Sequence, residues 1–305
     1  MTNQNISNGL FHLSGYAVDM FFVVSGFLIF WSFDNQQAKK IFYIKRFFRV
    51  FPLYLFLIIL QTVFFIVFSD FNIFEIIKYF LSNILFLNFL AHSVGDVFVG
   101  LQINAINGSL WTLKNEVLFY LILPYIFYLF KKFGIKFLIY IYLISCIYFF
   151  IVDYFEYTRL IVQFPAQLRL FLSGIFMYLF LDTILKSKIT TLVPFLLIVI
   201  YLFIDCLTFK IILYPILISI VVMCLVFCIK HIKINFDFSY SFYIFHFPII
   251  QLSLYFNFNH DNPFISFFTL FFIILMLSYF SEKYIEDYFI QLGKKIIKRR
   301  KYDTN

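Results

Sequence analysis

Long apolar segments separated by short polar ones dominate this chain. A helix of roughly 18 or more apolar residues can cross a hydrocarbon core of about 30 Å. The pattern predicts full crossings at residues 17–33, 50–68, 109–130, 135–152, 166–181, 192–207, 212–229, 238–256 and 264–280. Segment 74–91 is apolar but contains Lys and Asn, and we expect it to enter the membrane and return on the same side. The predicted fold is an all-α, polytopic membrane helical bundle with about nine to ten transmembrane helices.

Composition excludes a water-soluble protein. Of 305 residues, 63% are hydrophobic and 13% are charged, whereas a soluble domain carries about a quarter charged residues. The many Phe and Tyr lie in apolar runs without interleaved basic residues, so no nucleic-acid partner is expected. We predict one transmembrane domain over residues 1–290 and a basic tail over 291–305.

The net charge of +8 is concentrated in particular loops. Lys and Arg are abundant after the first span, in alternate later loops and in the tail, and cytoplasmic loops are the basic ones in membrane proteins. The tail is therefore predicted to be cytoplasmic. Nine crossings would then leave the N-terminus outside, which suggests that a further helix precedes Met1.

No metal or disulfide site is predicted. The four cysteines lie in or beside apolar spans, with no His or carboxylate at ligand spacing. Cys224 and Cys228 share a helix face, but a structural role in packing is favoured for both.

Ionisable residues inside a membrane are costly, so each is a candidate functional group. Glu116 lies in the span 109–130, and helical spacing places Thr112 and Tyr120 on the same face. A carboxylate between two hydroxyl groups can position or deprotonate an alcohol. Alternatively, Glu116 pairs with Lys114 or Arg169 and serves only packing.

His246 is the second candidate, near the middle of span 238–256. It shares a stripe with Ser239 and Tyr243 and can accept or relay a proton near neutral pH. A satisfied core histidine is the alternative interpretation. The other histidines, His12 among them, are expected in solvated loops.

Two polar clusters flank the spans. Lys45, Arg46 and Arg49 lie near Pro52, at the predicted start of the second span, and can bind phosphate. Such a cluster can also serve only as an anchor to lipid head groups. On the other side, polar and aromatic residues of the loop before Trp111 could contact sugar hydroxyls.

Taken in order, several motifs resemble the acyltransferase 3 family of bacterial membrane O-acyltransferases. The segment GYAVDMFFVVSGFLI (15–29) is similar to the family's GVDLFFVLSGFLI, and RFFRVFPLY (46–54) to its RxxRIxPxY. NILFLN (83–88) is similar to NLLFLN, GSLWTLKNEVLFY (108–120) to GSLWTLxxExxFY, and FSYSFYIFHFP (238–248) to SYSLYLFHFP. The resemblance extends over nearly the whole chain.

The resemblance implies an enzyme of the cell inner (cytoplasmic) membrane. It would transfer an acyl group, usually acetyl, from cytoplasmic acyl-CoA to a hydroxyl of a surface or exported glycan, free or lipid-linked. Acyl-CoA is then the donor substrate, and no bound cofactor is expected. The resemblance points to Arg46 and Arg49 as contacts for the CoA phosphates and to Ser109, Trp111, Glu116 and Tyr120 as lining the reaction cavity. Lys45 is a further candidate for the phosphates and Asp19 for the substrate, and the candidate catalytic residues are Glu116, His246 and His12.

The chain departs from the family at its start. The family begins with a helix that carries an Arg and, about three turns later, a His thought to be the catalytic base. His12 is the only substitute, and the alignment of motifs places it in the loop after that helix. A second departure is IEDYF (285–289), which lacks the proline of the family's IExPF.

Two other functions remain open from the sequence. A transporter or flippase of lipid-linked sugars also needs many helices and few buried charges, although no internal repeat is visible. An acyltransferase that has lost its first helix and its activity is the other possibility.

Overall fold

The computed structural model describes residues 2–36, 39–70, 72–186, 207–228, 237–258 and 262–302. These residues form helices joined by turns, and no strand occurs among them. The fold class is therefore the predicted all-α one. The α-helices are α1 Thr2–Asp34, α2 Lys39–Phe68, α3 Ile73–Ile84, α4 Leu110–Phe133, α5 Ile135–Tyr154, α6 Thr158–Ile161, α7 Phe164–Lys186, α8 Leu207–Cys228, α9 Ser239–Tyr255, α10 Pro263–Ser281 and α11 Asp287–Tyr302.

The chain divides into two compact units, each built from both halves of the sequence. The first unit contains Met1–Gln36 and Asn115–Ile232, and the second contains Gln37–Lys114 and Lys233–Asn305. Helix α4 belongs to the second unit up to Lys114 and to the first unit from Asn115 onward.

The number of spanning helices differs from the predicted nine to ten. Six segments of the described chain are long and apolar enough to cross a membrane: Gly15–Asp34, Lys39–Phe68, Leu110–Phe133, Ile135–Tyr154, Thr158–Thr183 and Pro263–Arg299. Helix α8 contributes the shorter apolar segment Ile211–Met223, and α9 has 17 residues. The predicted span 192–207 lies outside the described residues, apart from its last residue.

Two helices begin earlier than hydropathy predicts. Helix α1 begins at Thr2, so His12 lies inside a helix and not in the predicted loop. Helix α2 begins at Lys39, which places Pro52 in its interior and not in a first turn. Lys and Arg are good helix formers, so α2 continues through the basic residues that precede its apolar segment.

Polar contacts join α1, α4 and α7 near their ends in the first unit. Lys131 Nζ of α4 lies 3.6 Å from Asp34 Oδ1 of α1. The Tyr178 hydroxyl of α7 donates a hydrogen bond of 2.9 Å to Asp34 Oδ2. All three residues lie near the C-terminal ends of their helices, so these helices run in the same direction. This agrees with the predicted alternation of spans.

Helices α1 and α7 approach each other at two glycines. A Cβ on Gly174 would lie 2.1 Å from the Val23 carbonyl oxygen, and a Cβ on Gly26 would lie 2.1 Å from the Phe171 oxygen. Small residues allow helix backbones to pack closely in membranes. The two glycines therefore set the distance between α1 and α7.

We expect Gly174→Ala to destabilise the protein by about 1–3 kcal/mol, because the added methyl group would meet backbone and not a movable side chain. This change is measured by heating the protein in detergent and recording the temperature at which its monodisperse peak is lost. Gly15→Ala is the matched control, because Gly15 of α1 has open space around it. An equal loss in both variants would contradict the role given to the close packing.

In the second unit, α3 and the turn after it are held by buried polar side chains. Asn83, 1% exposed, donates from Nδ2 to the carbonyl oxygens of Tyr79 and Ala91, both at 2.8 Å. The Tyr54 hydroxyl of α2 donates to the Asn83 carbonyl at 2.6 Å. Helix α3 has 12 residues, about 18 Å at 1.5 Å per residue. It is too short to cross the membrane, as the sequence predicted for this segment.

The end of the described chain packs against the start of α2. Helix α10 continues through a π-helical turn, Glu282–Glu286, into α11. Helix α11 contacts α2, where a Cβ on Gly293 would lie 3.0 Å from the Phe48 ring. The exposed Lys294, Lys295 and Lys298 of α11 therefore add positive charge beside the basic N-terminal half of α2.

Candidate active site

Three cations of α2 form the first part of the candidate site. Lys45 and Arg49 are exposed, and Arg46 is half-buried with its guanidinium carbon 5.7 Å from the centre of the Phe42 ring. We call Lys45, Arg46 and Arg49 the basic turn. Their spacing of one and three residues places them around one end of α2. This end can bind a phosphorylated ligand through charge-assisted hydrogen bonds.

Arg49 is oriented by a carboxylate that precedes α9. Its Nη2 donates to Asp237 Oδ2 at 2.9 Å, and the two side chains are 44% and 61% exposed. An ion pair so exposed contributes at most about 1 kcal/mol to stability. Its effect is geometric, because it holds one nitrogen of the Arg49 guanidinium group beside Asp237.

The pKa of Asp237 lies below its ordinary value of 3.8. Burial alone would raise this pKa, but hydrogen bonds from Ser239 and the charge of Arg49 outweigh it. A lowered carboxyl pKa gives stabilisation that is present above the ordinary pKa and is lost as the pH falls through the lowered one. The Asp237 carboxylate is therefore charged and available to pair with Arg49 near neutral pH.

A second carboxylate lies behind the basic turn, in the π-helical turn after α10. Glu286 is 4% exposed and accepts a hydrogen bond from Ser241 Oγ of α9. The Tyr240 hydroxyl donates to the Val50 carbonyl of α2 at 2.9 Å. These contacts join α2, α9 and the π-helical turn at the end of α2 that carries the basic turn.

Hydroxyl groups from α9 and from the start of α4 form a buried network. The Tyr243 hydroxyl donates to the Ser109 carbonyl at 3.1 Å and forms a short hydrogen bond with Thr112 Oγ1. Ser109 Oγ donates to Asn107 Oδ1 at 2.7 Å. Asn107 Nδ2 in turn donates to the Ile244 carbonyl at 3.2 Å. The structure therefore brings together Thr112 and Tyr243, which the sequence had placed on two separate helix faces, and joins Ser109 to them.

His246 lies one turn after Tyr243, and a backbone contact sets its tautomer. Its Nδ1 is 2.5 Å from the Tyr243 carbonyl oxygen. A carbonyl only accepts hydrogen bonds, so Nδ1 carries the proton. In the neutral ring Nε2 is then the unprotonated nitrogen, which can accept a proton. His246 is thus held in the tautomer that a general base requires at Nε2.

Glu116 and Tyr120, both in the first unit, contact each other directly. The Tyr120 hydroxyl donates to Glu116 Oε1, one turn earlier on α4. Lys114 Nζ lies 5.1 Å from the centre of the Phe89 ring. Trp111 is half-buried in the first turn of α4.

Asp19 accepts a hydrogen bond from the Tyr214 hydroxyl of α8, and the Arg169 guanidinium carbon lies 5.9 Å from the centre of the Tyr214 ring. Arg169 is 4% exposed, and its guanidinium carbon lies 3.7 Å from the centre of the Phe149 ring. It also donates to the carbonyl oxygens of Ala166 and Ile211 at 3.2 and 3.3 Å. Sequence reasoning placed Asp19 among the substrate contacts without these neighbours, although a lone Arg in an apolar span was a visible signal.

In the described part of the chain, no group of three or more His, Cys, Asp and Glu residues lies close enough to hold a metal ion. Cys146 is buried with a free thiol. The side chains of Cys206, Cys224 and Cys228 lie outside the described residues.

The helices and these sites define a multi-pass membrane protein with polar clusters inside its helical units. A family model described as an acyltransferase domain matches residues 2–282. The chain belongs to the acyltransferase 3 family, and it is therefore a membrane acyltransferase. Comparison with curated proteins and with solved structures gave no match.

Proposed function

We propose that this acyltransferase moves an acyl group from cytoplasmic acyl-CoA to a hydroxyl group of a surface or exported glycan, free or lipid-linked, at the inner membrane. The observation that carries the proposal is the contact between His246 Nδ1 and the Tyr243 carbonyl oxygen, which leaves Nε2 to accept the proton that transfer to an alcohol releases. The basic turn supports a donor with phosphate groups. The tail would then lie in the cytoplasm.

In the proposed transfer, His246 Nε2 takes the proton of the acceptor hydroxyl while the oxygen attacks the thioester carbonyl. The new carbon–oxygen bond forms, the carbon–sulfur bond breaks, and the CoA thiolate receives the proton from His246. The charges of Lys45, Arg46 and Arg49 bind the phosphates of the donor. Ser109 and Trp111, at the start of α4, are proposed to contact the acceptor.

To test this proposal, the full chain is expressed in a host strain that has no acyltransferase of its own for the surface polysaccharide. We expect ester-linked acyl groups on the purified surface polysaccharide, which mild base releases and mass spectrometry counts. Purified protein in nanodiscs should also release CoA thiol from acyl-CoA when that polysaccharide is added. Absence of both signals with the wild-type chain would reject the proposed function.

For Glu116 we propose a role in binding an acceptor hydroxyl. Glu116→Gln keeps an oxygen that can accept the Tyr120 hydrogen bond but removes the charge. A lost charged hydrogen bond costs about 1.5–3 kcal/mol, so we expect the acylation rate to fall at least about tenfold. The rate of ester formation on the polysaccharide measures it.

Glu75→Gln is the control, because Glu75 is an exposed carboxylate in the first turn of α3. An unchanged rate in Glu116→Gln, with wild-type protein levels in the membrane, would restrict Glu116 to packing. No catalytic role is proposed for His12.

A further inference from the structure

The second unit contains an apolar cavity that the proposed mechanism does not use. Its volume is about 460 Å³, and its walls come from α2, α9, α10 and the π-helical turn. On α2 it extends from Phe56 to Phe64 and on α9 from Phe245 to Leu252. At 1.5 Å per residue, the cavity follows these helices for roughly 10–12 Å. It is therefore elongated along the helix axes.

Two polar side chains interrupt the apolar walls. Gln61 is 2% exposed and Ser281 is 6% exposed, and both line the cavity. Gln61 Oε1 accepts a hydrogen bond from the Tyr79 hydroxyl at 2.8 Å, which fixes the amide. Gln61 Nε2 and Ser281 Oγ are buried and have no hydrogen-bond partner in the described structure. Buried polar groups are almost always paired, so these two atoms are candidate contacts for a bound ligand.

The chemistry of the walls restricts that ligand. An amide nitrogen donates hydrogen bonds and a hydroxyl group can also donate, so the ligand needs a hydrogen-bond acceptor, such as a carbonyl oxygen. The rest of the ligand must be apolar and extended. A thioester carbonyl with an aliphatic chain meets both conditions.

The distance from the basic turn to the cavity distinguishes two candidate ligands, a phospholipid and an acyl-CoA. Phe56 and Leu60 follow Arg49 by two and three helical turns on the same face of α2. Gln61 lies twelve residues after Arg49, a rise of about 18 Å. In a phospholipid the ester carbonyls lie close to the phosphate. In CoA, the phosphopantetheine arm between phosphate and thioester is about 14 bonds long and reaches roughly 16 Å when extended. Acyl-CoA therefore matches the distance from the basic turn to Gln61, and a phospholipid does not.

We infer that this cavity holds the acyl chain of the donor, and that the preferred donor carries a chain longer than acetyl. The inference rests on the proposed function, because it takes acyl-CoA as the donor. Gln61 Nε2 and Ser281 Oγ donate to the thioester carbonyl, and the chain extends toward Phe64 and Leu252. Ile249 lines the cavity and lies three residues after His246, so the cavity begins within one helical turn of the proposed base on α9.

The test is direct binding of CoA, acetyl-CoA, butyryl-CoA, hexanoyl-CoA and octanoyl-CoA to the full chain in nanodiscs, by calorimetry. Empty nanodiscs correct for partition of the longer chains into lipid. Each buried methylene contributes about 0.8 kcal/mol, so we expect affinity to rise about fourfold per added methylene. Equal binding of acetyl-CoA and octanoyl-CoA would overturn the inference while leaving the proposed function intact. Failure of CoA and of every acyl-CoA to bind would reject the proposed donor.

Two variants on α9 locate the chain. Leu252→Trp fills the far end of the cavity, and we expect it to abolish the gain in affinity that longer acyl chains give the wild type. Leu254→Trp is the matched control, because Leu254 is exposed and does not line the cavity. Native mass spectrometry tests the lipid alternative. A phospholipid that the wild type retains and Leu252→Trp loses, with unchanged octanoyl-CoA binding, would assign the cavity to a lipid and contradict the inference.

Gln61→Leu tests the hydrogen bond to the thioester. Leucine has a similar size but cannot donate, so we expect acyl-CoA affinity to fall about tenfold. Binding of CoA, which lacks the thioester carbonyl, should not change. Equal loss for CoA and for hexanoyl-CoA would show that Gln61 supports the fold and not the ligand. Chain-length dependence in the wild type needs no variant and remains decisive if either variant fails to fold.

Discussion

His246→Gln should reduce the rate of acyl transfer by about 10²–10⁴-fold, the usual contribution of a general base. Glutamine has a similar length and can donate from its amide nitrogen to the Tyr243 carbonyl, as the His246 ring does. It has no nitrogen that accepts a proton near neutral pH. The CoA released per minute from acyl-CoA, with the polysaccharide acceptor present, measures the loss. Donor affinity should stay at the wild-type value, because the basic turn is unchanged.

Two further variants separate catalysis from structure. His92→Gln is the control, because His92 is an exposed loop residue of the same unit. Tyr243→Phe removes the hydroxyl contacts to Ser109 and Thr112 but keeps the backbone carbonyl that bonds His246. We expect it to have a smaller effect than His246→Gln. A His246→Gln enzyme that retains more than a tenth of the rate would remove His246 from the proposed mechanism.

The sequence predicted the spanning helices well where apolar length decides the outcome. Helix α5, Ile135–Tyr154, and helix α10, Pro263–Ser281, lie within two residues of the predicted limits. The starts of α1 and α2 were missed, because hydropathy reports only the apolar part of a helix and polar residues can extend it. The polar residues of segment 74–91 were correctly treated as a break, but only the structure shows that Asn83 holds the turn through Ala91.

For the candidate site, the sequence predicted only which side chains share a face of one helix. Tyr243 and His246 were placed on one stripe of α9, and Glu116 and Tyr120 on one face of α4, because those relations are local. The partners of these stripes come from other elements. Asp237 was missed because it is an ordinary loop carboxylate in the sequence, and only packing brings it to Arg49. Gln61 gave a weak signal, a lone amide in an apolar span, which becomes informative only beside a cavity.

Arg49→Gln should raise the donor KM about 10–100-fold with little change in kcat. A hydrogen bond to a charged group contributes about 1.5–3 kcal/mol, and binding that is equal in the ground and transition states appears in KM. Arg49→Lys keeps the charge but loses the planar fork, so we expect an intermediate KM. Lys40→Gln, an exposed change near the start of α2, is the control for a general loss of positive charge.

Asp237→Asn distinguishes a phosphate ligand from a structural ion pair. If Arg49 served mainly to pair with Asp237, both variants would lower stability equally and neither would change KM. The pair is exposed on both sides and is therefore worth at most about 1 kcal/mol. We expect Asp237→Asn to change KM less than about fivefold, because it only releases the orientation of a guanidinium group that still carries its charge. Higher salt should raise KM in the wild type and in Asp237→Asn, because salt screens the attraction between Arg49 and the donor phosphates. The increase in KM should be smaller in Arg49→Gln, which no longer has that charge.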